Sequence, residues 1–178
     1  MVGAGLAGPV MASYLLEHGF SIEMHEKRKD MRLVEQSAGR SINLALSKRG
    51  INALEDIGII EKIRPMMLPM VGRMIHDRDG NIHLQKYGQK SSEVIYSISR
   101  AFLNKTLMGH AENKGNVDIS FNHALKKVDL QNSKLHFNDG TIGFDRLLGS
   151  DGSTSEIRKA IDQFSSINYR KEPLGHGY

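Results

Sequence analysis

The stretch Val2-Gly3-Ala4-Gly5-Leu6-Ala7-Gly8-Pro9 decides how this chain is read. It has the form G-x-G-x-x-G, and each glycine has a task when such a segment joins a strand to a helix. Gly3 permits the tight turn, because a residue without Cβ reaches backbone angles that others avoid. Gly5 lets the main chain approach a pyrophosphate, and Gly8 lets the helix lie close to the sheet. The helix start then offers free N–H groups and a partial positive charge to phosphates.

The flanking residues supply the context that this motif needs. A helix is expected over Gly8–His18, with Pro9 in its first turn, Val10, Tyr14 and Leu15 at helical spacing and Gly19 as its stop. Phe20 to His25 alternates as a strand and leads into Glu26, where a carboxylate would accept ribose hydroxyls of an adenine dinucleotide. An ordinary solvated glutamate at a strand end is the competing reading. His25-Glu26 does not begin a zinc-binding H-E-x-x-H, because position 29 is Lys. Only Met1 and Val2 precede Gly3, whereas a strand feeding such a turn usually has about five or six residues. The chain is therefore expected to start inside the first strand of a longer protein.

The composition is that of an ordinary globular chain. Its 178 residues are 39% hydrophobic and 25% charged, with a net charge of +4. Lys and Arg are scattered, which argues against nucleic acid as a partner and suits small anionic ligands. With no cysteine there is no disulfide, thiolate metal site or cysteine nucleophile, which fits a reducing compartment. No apolar run approaches the length of a membrane helix, and the cytoplasm is the expected location.

Further along, Lys27 to Gln36 reads as a charged loop. Ser47 is placed to cap a helix through Ile57, with Ala53, Leu54 and Ile57 inward and Gly58 at its end. A short helix over Ile59–Arg64 is expected to stop at Pro65. The methionines of Met66-Met67-Leu68-Pro69-Met70 are either core filling or the adaptable wall of a pocket. Val71–Asp77 and Ile82–Tyr87 read as strands joined by the turn Asp77-Arg78-Asp79-Gly80, with Val94–Ser99 as a third. Together they are expected to form a small antiparallel sheet inserted at about residues 66–99. A helix over Arg100–Lys114 follows, with Leu103, Leu107, Met108 and Ala111 on one face. Short strands are expected at Val117–Phe121, Ala124–Leu130, Lys134–Phe137 and Asp145–Leu148. His76, His83, His110, His123 and His136 read as surface or strand residues.

A second motif closes the set. The strand at Asp145–Leu148 leads into Gly149-Ser150-Asp151-Gly152 and then a helix from about Ser155, capped near Ser153 or Thr154. Asp151 can bind ribityl or ribose hydroxyls while Gly152 keeps the backbone close to a cofactor; Asp-Gly is also a common turn. Paired with the amino-terminal glycines, this stretch favours a flavin dinucleotide over a plain NAD site.

Taken together, these residues resemble the amino-terminal part of the group A FAD-dependent aromatic hydroxylases, and within them the kynurenine 3-monooxygenases. The likeness spans residues 3 to 178. It is carried by Gly3 to Gly8, Glu26-Lys27-Arg28, Gly39-Arg40-Ser41-Ile42-Asn43-Leu44-Ala45-Leu46-Ser47, Met74-Ile75-His76, Tyr96 to Arg100, Gly149 to Gly152 and His176-Gly177-Tyr178. The resemblance implies an α/β, Rossmann-like FAD-binding domain of the para-hydroxybenzoate hydroxylase type, with the small antiparallel β region facing substrate. It also implies NADPH-driven hydroxylation of L-kynurenine to 3-hydroxy-L-kynurenine by O2, through a flavin C4a-hydroperoxide, in tryptophan catabolism and pyridine nucleotide biosynthesis.

Residue by residue, Gly3, Gly5, Gly8, Glu26, Lys27, Arg28 and Lys29 would meet the adenosine and pyrophosphate half of FAD. Leu46, Arg100, Leu125, Asp151 and Gly152 would meet the rest. Arg73 and Tyr87 match the family's substrate-binding pair, and an Arg fork suits the α-carboxylate of kynurenine. No side chain is assigned as catalytic and no metal site is expected. The family's chains continue much further, so this piece, truncated at both ends, is expected to bind FAD weakly and not to turn over. The rivals are another FAD-dependent hydroxylase or oxidoreductase of this fold, an NAD-dependent dehydrogenase, and an inactive fragment.

Overall fold

A computed structural model describes residues 1–34, 43–90, 92–165, 170 and 172. The elements in chain order are α1 (Ala7–Glu17), β1 (Ile22–His25), β2 (Asn43–Leu46), α2 (Lys48–Asp56), α3 (Ile60–Ile63), β3 (Leu68–Met70), β4 (Gly72–His76) and β5 (Ile82–Lys86). They continue with β6 (Ile95–Ser99), α4 (Arg100–Asn113), β7 (Val117–Ser120), β8 (Lys127–Asp129), β9 (Lys134–His136), β10 (Thr141–Gly143) and α5 (Glu156–Phe164). Gly39 to Ile42 of the long family motif and His176-Gly177-Tyr178 lie outside the described residues.

The fold is α/β, built around a parallel sheet. β1 pairs with β7 in register Ile22 to Val117 through His25 to Ser120. Val2 bridges in parallel to His25 on one side and Gly149 on the other, so the segment before the glycine turn lies at the centre of the sheet. Val2 N–H donates to Leu148 O, and Ser150 N–H donates to Val2 O. The expected strand at Asp145–Leu148 is not formed as such; next to it Gly149 makes the single bridge to Val2.

Alternation along β1 places its side chains on two faces. Ile22 and Met24 join Ala4, Ala12, Met108, Ala111 and Val117 in a core beneath α1 and α4. His25 faces the other way, onto Phe137, with ring centroids 4.8 Å apart. That second face is covered by the antiparallel meander β8-β9-β10, whose Val128, Leu135 and Phe137 pack with Val2 and Ile157 of α5. A third core of Ile51, Leu54, Ile57, Ile63, Ile98 and Leu107 joins α2, α3, β6 and α4.

Several local expectations change. The fully packed side of α1 is Gly8, Pro9, Ala12 and Ser13, with Val10, Tyr14 and Leu15 half-buried; small residues bring the helix closest to its neighbours. Ser47 occupies the N-cap of α2, yet its hydroxyl makes no cap bond. Pro65 sits inside a 3-10 turn over Arg64–Met66 that prolongs α3. Met67 enters the core while Met66 stays exposed. The inserted β region also divides: among the described residues β4 and β5 pair with each other alone, while β6 lies between β2 and β3. The Asn43–Leu46 strand was not foreseen, and its pairing takes β6 away from the hairpin. The loop after Glu26 is held by Arg32, which is ion-paired with Asp30 and with Glu112 of α4.

Candidate cofactor site

The glycine turn is built by contacts that admit no side chain at two of its three glycines. Gly3 has φ +99°, and a Cβ there would lie 2.4 Å from Ser150 O. A Cβ on Gly8 would lie 2.1 Å from Gly3 O, so the first turn of α1 rests directly on the strand end. Gly5 differs: a Cβ there meets nothing within 4 Å. Its position opens onto a cleft of about 700 Å³ lined by Gly3, Gly5, Leu6, Ala7, Glu26, Lys27, Arg28, Arg100, Leu125, Asp151 and Gly152, among others. Hence packing demands the first and third glycines, while the second stands where a ligand would approach.

Glu26, at the end of β1, is buried. Its Oε2 accepts from Ala4 N–H at 2.8 Å, and its Oε1 accepts from Arg28 N at 3.0 Å and Arg28 Nε at 2.8 Å. Arg28 Nη2 reaches Oε2 at 3.3 Å. Burial opposes ionisation, but these donors outweigh it and hold the carboxyl below its usual range. A carboxylate accepts about four hydrogen bonds, so ribose hydroxyls reach Glu26 only if Arg28 lets go. The Arg28 side chain is 58% exposed against 6% for Glu26, and the arginine is the partner free to move.

On the opposite wall, Asp151 caps α5. Its Oδ2 accepts from Glu156 N at 2.8 Å and Ile157 N at 3.4 Å, while the N-cap itself is Ser155, whose Oγ accepts from Arg158 N. The expected caps, Ser153 and Thr154, therefore give way to Ser155 and Asp151. Gly152 has φ +84°, a left-handed backbone that favours glycine, and it lines the cleft together with Ser153 and Thr154. Arg100, the first residue of α4, is exposed and lines the cleft. A cation at the positive end of a helix is unfavourable by itself, and an anion in the cleft would offset that.

The other expected residues fall elsewhere. Gly8 lies beneath the cleft; Lys29 and Leu46 are not among its lining residues. Arg73 on β4 donates through Nε to Gln85 Oε1 at 2.6 Å. Tyr87 follows β5, and its N–H bonds Val71 O; continuing the register puts Tyr87 on the same face of the hairpin as Arg73. Neither Arg73 nor Tyr87 is among the residues that line the cleft.

Two histidines that line the cleft, His25 and His123, meet each other. His25 Nδ1 and His123 Nδ1 are 3.0 Å apart, His123 Nε2 meets Asp139 Oδ1 at 2.9 Å, and His123 stacks on Phe137 at 3.8 Å. Burial lowers His25 to about 4, so it is neutral at pH 7. His110 is half-buried and bonds the Ile57 carbonyl at 2.9 Å. His25 could have been noticed from its place on the strand beside Glu26; the contacts of His123 and Asp139 depend on chain segments far apart in sequence. No helix among the described residues is long and apolar enough to cross a membrane.

Comparison with known proteins gives the family. The model of the FAD binding domain family matches residues 1–170. Curated relatives named kynurenine 3-monooxygenase align with the whole chain: 37% identity in Legionella pneumophila and 40% in Myxococcus xanthus, covering 41% and 40% of those proteins. The chain thus spans about two fifths of the length of the curated relatives it matches. Among solved structures, 2-methyl-3-hydroxypyridine-5-carboxylic acid oxygenase superposes with a TM-score of 0.73 at 22% identity, over 90% of this chain and 40% of that one. The flavin-dependent monooxygenase PieE, in complex with FAD and substrate, also gives 0.73, at 17% identity, over 92% and 31%. The glycine turn, the Glu26 wall and the Asp151-Gly152 wall therefore belong to one unit, and the chain is a member of the FAD binding domain family.

Proposed function

We propose that this chain forms the FAD-binding part of an NADPH-using monooxygenase that hydroxylates L-kynurenine to 3-hydroxy-L-kynurenine, a step of tryptophan catabolism leading to pyridine nucleotides. The observation that carries it is the cleft where Gly3, Gly5, Glu26, Arg28, Arg100, Asp151 and Gly152 converge, in a chain alike over its whole length to relatives of that name.

Gly3, Gly5 and the start of α1 would hold the pyrophosphate, and Glu26 to Arg28 the adenosine half. Arg100, Leu125 and Asp151, which line the cleft, would meet the remainder. When bound, the flavin supplies electron transfer and oxygen activation. The protein's share is to bind, to orient and to exclude water. Residues 66–99 would face substrate, with Arg73 offering its guanidinium to the α-carboxylate and Tyr87 flanking it on the same hairpin face.

The test has two parts. Titration of the purified chain with FAD should quench flavin fluorescence at saturation; a colourless protein that gains no flavin absorbance favours an NAD-dependent dehydrogenase. In the protein that carries this chain, kynurenine should stimulate NADPH oxidation with 3-hydroxykynurenine as product. Stimulation by a different aromatic, with kynurenine inert, would reassign the substrate.

A further inference from the structure

We infer that Asn104 is a positioning residue for the glycine turn, one that aims the Gly5 N–H into the cleft; this rests on the FAD reading above. Asn104 lies on the packed side of α4 with Leu103, Leu107, Met108 and Ala111 and is only 5% exposed. Its Nδ2 donates to Ala4 O at 3.2 Å and to Met31 Sδ at 3.1 Å. A carbonyl oxygen only accepts, so the amide nitrogen must face Ala4 and the orientation of the side chain is set.

Two successive peptide groups cross the turn, and they are held differently. The Gly3–Ala4 peptide is gripped at both ends: Ser150 Oγ donates to Gly3 O at 2.7 Å, and Ala4 N–H donates to Glu26 Oε2 at 2.8 Å. Side-chain bonding to the Ala4–Gly5 peptide, among the described residues, comes from Asn104. In a trans peptide the N–H points opposite to the C=O. Holding Ala4 O toward α4 therefore directs the Gly5 N–H away from it, and Gly5 lines the cleft where Ala4 does not. A peptide next to glycine reorients easily, and Asn104 prevents this.

The other end of the amide supports a role beyond packing. Among the described residues Asn104 Oδ1 is buried and accepts no hydrogen bond. An orphaned buried acceptor is destabilising, and a leucine of similar size would avoid that penalty within an apolar helix face. What leucine lacks is the donor to Ala4.

The experiment compares wild type, Asn104→Leu and Asn104→Asp by FAD titration, thermal midpoint and the amide resonance and exchange rate of Gly5 in the apo chain. Asn104→Leu should keep a thermal midpoint near wild type, weaken FAD about tenfold and speed exchange at Gly5. Asn104→Asp should bind weakly at pH 8, where an ionised carboxylate opposes Ala4 O. Relative to wild type at the same pH it should recover by pH 5.5, because burial raises the pKa of the introduced carboxyl and its protonated form donates. Wild-type affinity with an unchanged Gly5 amide in both variants would overturn the inference, as would a folded Asp variant that stays weak at pH 5.5. If wild type itself binds no FAD, the proposed function fails, while the Gly5 amide still decides whether Asn104 orients that peptide.

Discussion

Replacing single glycines of the turn by alanine should separate folding from cofactor binding. In Gly8→Ala the new methyl meets Gly3 O at 2.1 Å and Ser150 Oγ at 2.9 Å. The first of these is backbone and cannot rotate aside, so α1 must retreat by nearly 1 Å to restore a 3.0 Å contact. On its inner side α1 is held by Ala12 and Ser13, both fully buried, so the retreat disturbs the core shared with α4. Overpacking of this kind costs about 1–3 kcal/mol, against a gain of at most about 1 kcal/mol from alanine's better helix propensity. Overpacking wins, and the thermal midpoint should fall by roughly 2–8 °C for a domain of this size. Gly5→Ala should do the reverse. Its Cβ has open space and its φ is not positive, so stability should hold or rise by up to about 1 kcal/mol through a less flexible unfolded chain. FAD affinity should nevertheless drop, because the methyl projects into the cleft, where the proposed function puts the pyrophosphate. Differential scanning calorimetry and flavin fluorescence titration measure both effects. Wild-type stability in Gly8→Ala, or undiminished FAD affinity in Gly5→Ala, would refute the assignment of packing to one glycine and ligand approach to the other.

Three further outcomes are expected. His25 titrates at about 4 instead of its ordinary 6.5; between these values the unfolded chain binds a proton that the folded chain does not. Stability should therefore fall as pH drops from 6.5 to 4, by up to about 3 kcal/mol, and chemical denaturation of His25→Gln should show a flatter dependence over that window. Asp151→Ala removes the acceptor for Glu156 N and Ile157 N and should cost about 0.5–2 kcal/mol, read as a lower midpoint in urea. In the protein that carries this chain, Arg73→Leu should raise KM for kynurenine by about 10–100-fold, the loss of a charge-assisted bond, with FAD affinity unchanged; an equal loss of FAD affinity would place Arg73 in the cofactor site instead.

Much of this arrangement could be read locally. The order of turn, helix, strand and acid needs neighbours only a few residues apart, because glycine spacing and strand alternation are properties of a short segment. The turn at Asp77–Gly80 was legible for the same reason: Asp77 Oδ1 bonds the N–H groups of Asp79 and Asn81, entirely within the loop. Strand partnership was not. β6 carries the same alternating pattern whether it joins the β4–β5 hairpin or lies between β2 and β3, and long-range burial of Ile98 in the α2–α4 core selects the second.

By itself the sequence determined that a G-x-G-x-x-G turn opens a helix and that an acid follows the next strand, since those features reside in residue type and spacing. Only the tertiary structure decided what each does there. It set Gly3 and Gly8 against backbone and left Gly5 open, filled Glu26 with Arg28 and Ala4, turned Asp151 toward α5, and brought Asn104 from a hundred residues away to hold the turn. The physical reason is that a hydrogen bond or a steric limit belongs to a pair of groups, and these pairs meet only when the chain has folded.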